Sequence, residues 1–237
     1  MGIHIASQIN FALERAINLE SEWHGNTAYS DYGMVLVCAQ YGKIFIDLLA
    51  NKSLMKPFDL CLGSQSIVYA YTSSSMPPLG SNFSKRIHRD CPRLIPNYLT
   101  NMGCTIALSE FTEFNGASYF LKGSHKISID PTPEEFFDKS DRFLAPPGSV
   151  LFFNALTFHA GGINTTNEWR HGLTLNMCRP WMKQRLDLPK MLGSLPVGNE
   201  QIPNEALQKL GYYCQPPSSL EDYYAPADTR TYRQKNE

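Results

Sequence analysis

The triplet His88-Arg89-Asp90, with a third imidazole much later at His159, contains the residues of this sequence best suited to hold a metal ion. Two imidazoles and one carboxylate are the minimum set for a mononuclear iron site that keeps positions open for small ligands and oxygen. The spacing has a structural meaning, because alternate side chains of an extended segment share a face, which would aim His88 and Asp90 the same way. A histidine from another strand then closes one face of an octahedron. The same donors can hold zinc with an activated water, or manganese, cobalt or nickel, so the triplet alone does not select the chemistry.

Elements able to position these donors must come from 237 residues, of which 43% are hydrophobic and 18% charged. That length suits one large domain with a substantial core, and all-β barrels often reach it as single units. The composition fits a globular chain and argues against extended disorder. A formal net charge of −1 gives no general attraction to nucleic acid or to an anionic membrane. Cysteines at 38, 61, 91, 104, 178 and 214 form no Cys-x-x-Cys pair and are too sparse for a disulfide scaffold. With no signal peptide and no apolar run of membrane-spanning length, a soluble cytoplasmic protein with reduced thiols is expected.

Along the chain, Ile5, Ile9, Leu13, Ala16 and Ile17 recur at helical intervals, and residues 34–54 carry a second apolar stripe ahead of Pro57. From Ser66 the texture changes to short β-rich runs at 66–72, 104–111, 117–120, 149–154 and 172–178, separated by Gly, Pro, Asn and Ser. This pattern predicts a mainly β protein with flanking helices, built on a β-sandwich or jelly roll. The expected organisation is a single domain over 1–237: a helical preface (1–64), a β core (65–180) and an irregular C-terminal extension (181–237) with a short helix over Asn204–Leu210. Residues 73–85, rich in Ser, Pro and Gly, read either as a flexible loop beside the ligand pair or as an ordinary surface connection.

In order, His88-Arg89-Asp90, the block 115–126 (NGASYFLKGSHK), the run from Pro147-Gly148-Ser149 to His159, and Arg170 resemble the phytanoyl-CoA dioxygenase family of Fe(II)- and 2-oxoglutarate-dependent oxygenases over roughly 65–185. The resemblance implies a double-stranded β-helix, a cupin-like jelly roll with iron held between its sheets by His88, Asp90 and His159 as the catalytic centre. It implies that Arg170 pairs with the distal carboxylate of 2-oxoglutarate, for which a guanidinium fork is suited. Read without its neighbours, Arg170 would be taken as half of a surface ion pair with Glu168 or another acid. Gln65 and Tyr71 on the preceding strand, and Thr105 on the following one, are further cosubstrate contacts under this resemblance. Phe83, Arg89, Asn154 and Trp181 are candidate substrate contacts.

His171 should face away from the site, and His125 with the Asn115-Gly116 pair reads as turn chemistry. Many relatives in the family it resembles carry a hydroxyl residue two positions past the distal histidine, whereas this chain has Gly161. That contact must be absent or come from water or another side chain.

The implied cofactor set is Fe(II), 2-oxoglutarate and O₂, and the implied reaction is hydroxylation of a C–H bond in a small-molecule metabolite with release of succinate and CO₂. Desaturation, cyclisation or epoxidation would use the same oxidant, while the retained Asp90 argues against halogenation. A catalytically inactive metal-binding jelly roll and a zinc hydrolase are the rival readings. No nucleic-acid or membrane partner is expected, and the assembly would be a monomer or homodimer.

Overall fold

The computed structural model describes residues 2–25, 27–91, 93–193, 202–226 and 228. Helix α1 (Ile3–His24) follows from its apolar spacing: Ala6, Ile9, Leu13, Ala16 and Ile17 form its buried stripe. It stops at Gly25, whose φ of 73° is left-handed backbone that glycine adopts without strain.

The stripe over 34–54 is not one helix. It divides into an extended stretch, a single 3₁₀ turn (Cys38–Tyr41), α2 (Lys43–Leu48) and the start of α3 (Lys52–Leu62). Asn51 caps α3 by accepting a hydrogen bond from the Leu54 N–H at 3.0 Å. The helix then continues through Pro57, because Leu54, Met55, Phe58 and Leu62 bury a common face. Each fully buried aliphatic or aromatic side chain contributes ~1.5–3 kcal/mol, enough to offset one missing backbone bond.

Among the described residues seven strands form two antiparallel sheets. The larger has the order β1 (Ile67–Ser73), β7 (Gly172–Cys178), β2 (Asn101–Ala107), β5 (Val150–Asn154). The smaller has the order β4 (Asp141–Arg142), β3 (Tyr119–Phe120), β6 (His159–Ala160). Mainly β sheets with flanking helices and a jelly-roll core are therefore realised.

Strand alternation divides the large sheet's residues into two sets. Tyr71, Cys104, Ile106, Leu173, Leu175 and Met177 pack outward with α1–α3 in the main core. Thr72, Thr105, Thr174 and Asn176 face the space between the sheets.

The segment 73–85, a candidate flexible loop, is held in place. Met76 exchanges both backbone hydrogen bonds with Arg170, at 2.8 and 3.1 Å, and the Asn82 side-chain amide donates to Ser75 O at 2.7 Å and Tyr32 O at 3.1 Å. In the C-terminal extension, a short helix (Asn204–Leu210) is anchored by Lys209, which is 4% exposed. Its ammonium uses all three donors, on the Asp59 carboxylate at 2.5 Å, Ser66 Oγ at 3.0 Å and Ser64 O at 3.0 Å. Residues 194–201, 227 and 229–237 of that extension lie outside the described residues.

Candidate metal centre and active-site cavity

His88 and His159 are brought together by the backbone. They are direct partners in an isolated antiparallel bridge, and each donates its N–H to the other's carbonyl at 3.0 Å. Directly opposed residues present their side chains on the same face, and the two rings lie 4.2 Å apart between centroids. Asp90, two residues on, is fixed by its N–H on Ala155 O at 2.9 Å. Its Oδ1 stands 3.5 Å from His88 Nε2 and 3.7 Å from His159 Nε2. One donor atom from each residue lies within 4.8 Å of the other two.

The donor set fits a metal ion in two further respects. Each histidine has Nδ1 against the carbonyl two residues upstream, His88 on Arg86 O at 2.6 Å and His159 on Thr157 O at 3.0 Å. A carbonyl can only accept, so Nδ1 carries the proton and the Nε2 lone pair faces the shared point. Asp90 Oδ2 is buried without a hydrogen-bond partner among the described residues, an orphan that a cation would satisfy.

The carboxylate's charge state suits ligation, and when the imidazoles carry a proton on Nε2 they share Asp90 as their counter-ion. Burial works against ionising Asp90, but the charge of His159 and the hydrogen bond from His88 overcome it and hold the carboxyl below its usual range. The two histidines share this carboxylate yet shift oppositely. Burial pushes the enclosed His159 down, whereas for the more open His88 the bond to Asp90 outweighs burial and pushes it up.

The three donors line a cavity of about 420 Å³ between the sheets. Of the residues expected from sequence, Thr105, Phe83 and Arg89 also line it. Thr105 pairs with Thr174 on β7. Arg89 donates to Ile127 O at 2.7 Å and stacks over Phe158 with its guanidinium carbon 3.9 Å from the ring centroid.

Four expectations are corrected. Tyr71 is 2% exposed and donates its hydroxyl to Phe45 O at 3.1 Å, on the helix side of the sheet. A β-bulge between Val68 and Ala70 shifts the alternation, and Tyr69 lines the cavity instead. Gln65 precedes β1 and lines a separate groove beside α3 and the Asn204–Leu210 helix, not the cavity of the metal donors. Asn154 turns its Oδ1 back to accept from the Leu156 N–H at 2.9 Å, a local turn bond. Trp181 is 63% exposed and packs near Tyr98, outside the cavity.

Arg170 is fully buried, stacked over Phe111, and donates to Ser74 O at 2.6 Å and Gly116 O at 3.0 Å. Ser74 itself lines the cavity, so the guanidinium lies directly behind that wall. Its Nε has no partner, and no carboxylate pairs with it among the described residues. Burial alone brings its pKa down to about 9, which leaves it cationic at neutral pH.

At Gly161 an added Cβ would lie 2.6 Å from Ser84 Oγ and 2.5 Å from Met76 Cε. The side-chain hydroxyl at this point of the wall therefore belongs to Ser84, on the loop before the ligand pair.

His171 faces away as expected, with Nδ1 3.1 Å from Ser75 Oγ and its ring stacked on Trp169. Burial, reinforced by the neighbouring Arg170 charge, lowers its pKa to about 4. A base depressed in the fold is neutral there while the unfolded chain takes up the proton, so stability falls as pH drops from about 6.5 towards 4. This one group is expected to remove about 2 kcal/mol between pH 7 and pH 4.5. Urea unfolding of wild type and His171→Gln at both pH values should show that much less pH dependence in the variant. An equal loss in both proteins would contradict the assignment.

A jelly roll with two histidines and one aspartate facing an inter-sheet cavity defines a mononuclear non-haem metal enzyme class. The family model for phytanoyl-CoA dioxygenase (PhyH) matches residues 7–172, and the chain belongs to that family. Across 208 residues it is 26% identical to uncharacterized protein Rv1501 of Mycobacterium tuberculosis, covering 86% of this chain and 76% of the relative. Over 209 residues it is 25% identical to the iron/alpha-ketoglutarate-dependent dioxygenase penM of Penicillium thymicola, covering 72% and 66%.

Among solved structures, EvdMO1 superposes with a TM-score of 0.54 at 20% identity, over 71% of this chain and 44% of that one. The chain thus spans less than half of EvdMO1. The non-heme monooxygenase ThoJ in its apo form gives a TM-score of 0.53 at 17% identity, over 78% and 74%. These two likenesses concern the fold. Together, family and donor set make the protein a non-haem iron, 2-oxoglutarate-dependent dioxygenase whose cofactor set is Fe(II), 2-oxoglutarate and O₂. Among the described residues no helix is long and apolar enough to cross a membrane.

Proposed function

We propose that this protein works as one oxygenase domain that hydroxylates a C–H bond of a small polar metabolite, coupled to conversion of 2-oxoglutarate and O₂ into succinate and CO₂. The observation that carries this reading is the pairing of the His88–Asp90–His159 donors with Arg170, a fully buried cation without a carboxylate partner among the described residues. A buried charge left unpaired is costly, and 2-oxoglutarate offers a chelating end for the metal and a second carboxylate for the guanidinium.

In this reading His88, Asp90 and His159 hold the iron, with both Nδ1 protons parked on backbone carbonyls. Arg170 orients the cosubstrate through its distal carboxylate, and the Ser84 hydroxyl stands beside it. When bound, iron with 2-oxoglutarate and O₂ supplies the oxidising chemistry. The protein contributes position and exclusion of water, with Thr105, Thr174 and Asn176 as polar contacts along one wall.

The test is succinate release by Fe(II)-loaded protein under air with a panel of small metabolites. Substrate-dependent succinate, with a product heavier by one oxygen derived from ¹⁸O₂, is the expected result. A product lighter by two hydrogens would move the reaction to desaturation or cyclisation. Activity that persists without oxygen would point to a hydrolase, and the absence of succinate with every compound would favour a binding protein.

A further inference from the structure

Arg185 is a further cation at the cavity, beside Arg89 and Arg170, to which the metal donors and the proposed cosubstrate site give no task. The chain reaches it after leaving β7 and passing back along β1, where the Arg185 N–H donates to Tyr69 O at 3.1 Å. Tyr69 sits at the β1 bulge, and Tyr69 and Arg185 both line the same cavity as His88, Asp90 and His159. Among the described residues the Arg185 guanidinium has no carboxylate within ion-pair distance and no side-chain hydrogen bond.

The other arginine in the cavity wall differs in this respect. Arg89 is committed to Ile127 O, to the face of Phe158 and, at 3.9 Å, to Asp130. Arg170 is held behind the wall by two carbonyls. Among the described residues Arg185 is therefore the guanidinium presented to the cavity with no hydrogen bond or ion pair, and it lies near enough to Asp90 and Tyr69 for its charge to favour their ionised forms.

We propose that the substrate is a small organic acid whose carboxylate docks on Arg185, placing its oxidised carbon toward the His88–Asp90–His159 centre. The inference rests on the dioxygenase reading above. A guanidinium fork recognises a carboxylate through two parallel charge-assisted bonds, which fixes orientation as well as affinity. Thr174 and Asn176, on the neighbouring β7, line the same cavity and suit a polar rather than a hydrocarbon body. The backbone bond at Arg185 does not depend on its side chain, so Arg185→Gln keeps the segment in place.

The probes are N-acetylglycine and its neutral amide, titrated by calorimetry into metal-free protein and, without oxygen, into protein loaded with Fe(II) and 2-oxoglutarate. The wild type should prefer the acid by about five-fold, the upper range for a solvent-accessible ion pair. Arg185→Gln should abolish that preference while its Kd for 2-oxoglutarate changes by less than about two-fold. The inference is overturned if wild type shows no preference, if the preference survives in Arg185→Gln, or if the substitution weakens 2-oxoglutarate as strongly as the probe. Protein that keeps the acid preference but does not take up 2-oxoglutarate would sink the dioxygenase reading and leave the anion site standing.

Discussion

Asp90→Ala is expected to abolish succinate formation and to weaken Fe(II) binding by more than ~100-fold. Loss of a group that merely orients a ligand typically costs 10–100-fold in metal affinity, and Asp90 is itself one of only three protein donors. The same substitution should leave the metal-free fold almost unchanged, because Oδ2 has no partner to lose, the Oδ1 contacts to the two imidazoles are largely offset by the cost of burying the carboxylate, and the backbone bond to Ala155 remains. Its Tm should stay within about 4 °C of wild type, the shift expected for ~1 kcal/mol in a chain of this size. Iron titration beside a thermal melt of the metal-free protein separates the two effects. Wild-type iron affinity in the variant would remove Asp90 from the centre.

Arg170→Met sets opposing stability terms against each other and leaves function to decide. Burial lowers the arginine pKa from 12.5 to about 9, so keeping this charge inside the fold costs roughly 5 kcal/mol. Methionine removes that cost but strands the Ser74 and Gly116 carbonyls, at about 1–3 kcal/mol each. The terms largely cancel, and net stability should move by no more than ~1–2 kcal/mol.

Affinity for 2-oxoglutarate has no such compensation. Removing one partner of a buried charge pair costs about 2–5 kcal/mol, which predicts a Kd raised by at least ~30-fold. Unchanged cosubstrate affinity in folded Arg170→Met would assign the residue to architecture alone.

How far the sequence foretold this arrangement depended on whether a signal was local. The grouping of His88, Asp90 and His159 was legible because His-x-Asp on extended backbone is a local pattern and His159 closes a β-rich run. The alternation Leu173, Thr174, Leu175, Asn176, Met177 on β7 also divides core from cavity, and could have named Thr174 and Asn176. Tyr71 misled because a bulge inverts the facing of β1 between Val68 and Ala70, and nothing in the residues around it marks the extra position. Strands β4 and β6, of two residues each, are too short to carry a period. Pro57 suggested a helix boundary, but the burial of Phe58 and Leu62 carried α3 past it. Arg185 was out of reach, since the extension that carries it has no periodic pattern and returns to the cavity only through a backbone bond to Tyr69.

The most direct test of the central claim is an anaerobic titration of metal-free protein with Fe(II) and 2-oxoglutarate, following the visible charge-transfer band of the bidentate chelate. The account predicts a saturable band with one iron and one cosubstrate per chain, absent when either is omitted and absent in His159→Ala. Folded, iron-loaded wild type that develops no band at saturating 2-oxoglutarate would contradict it.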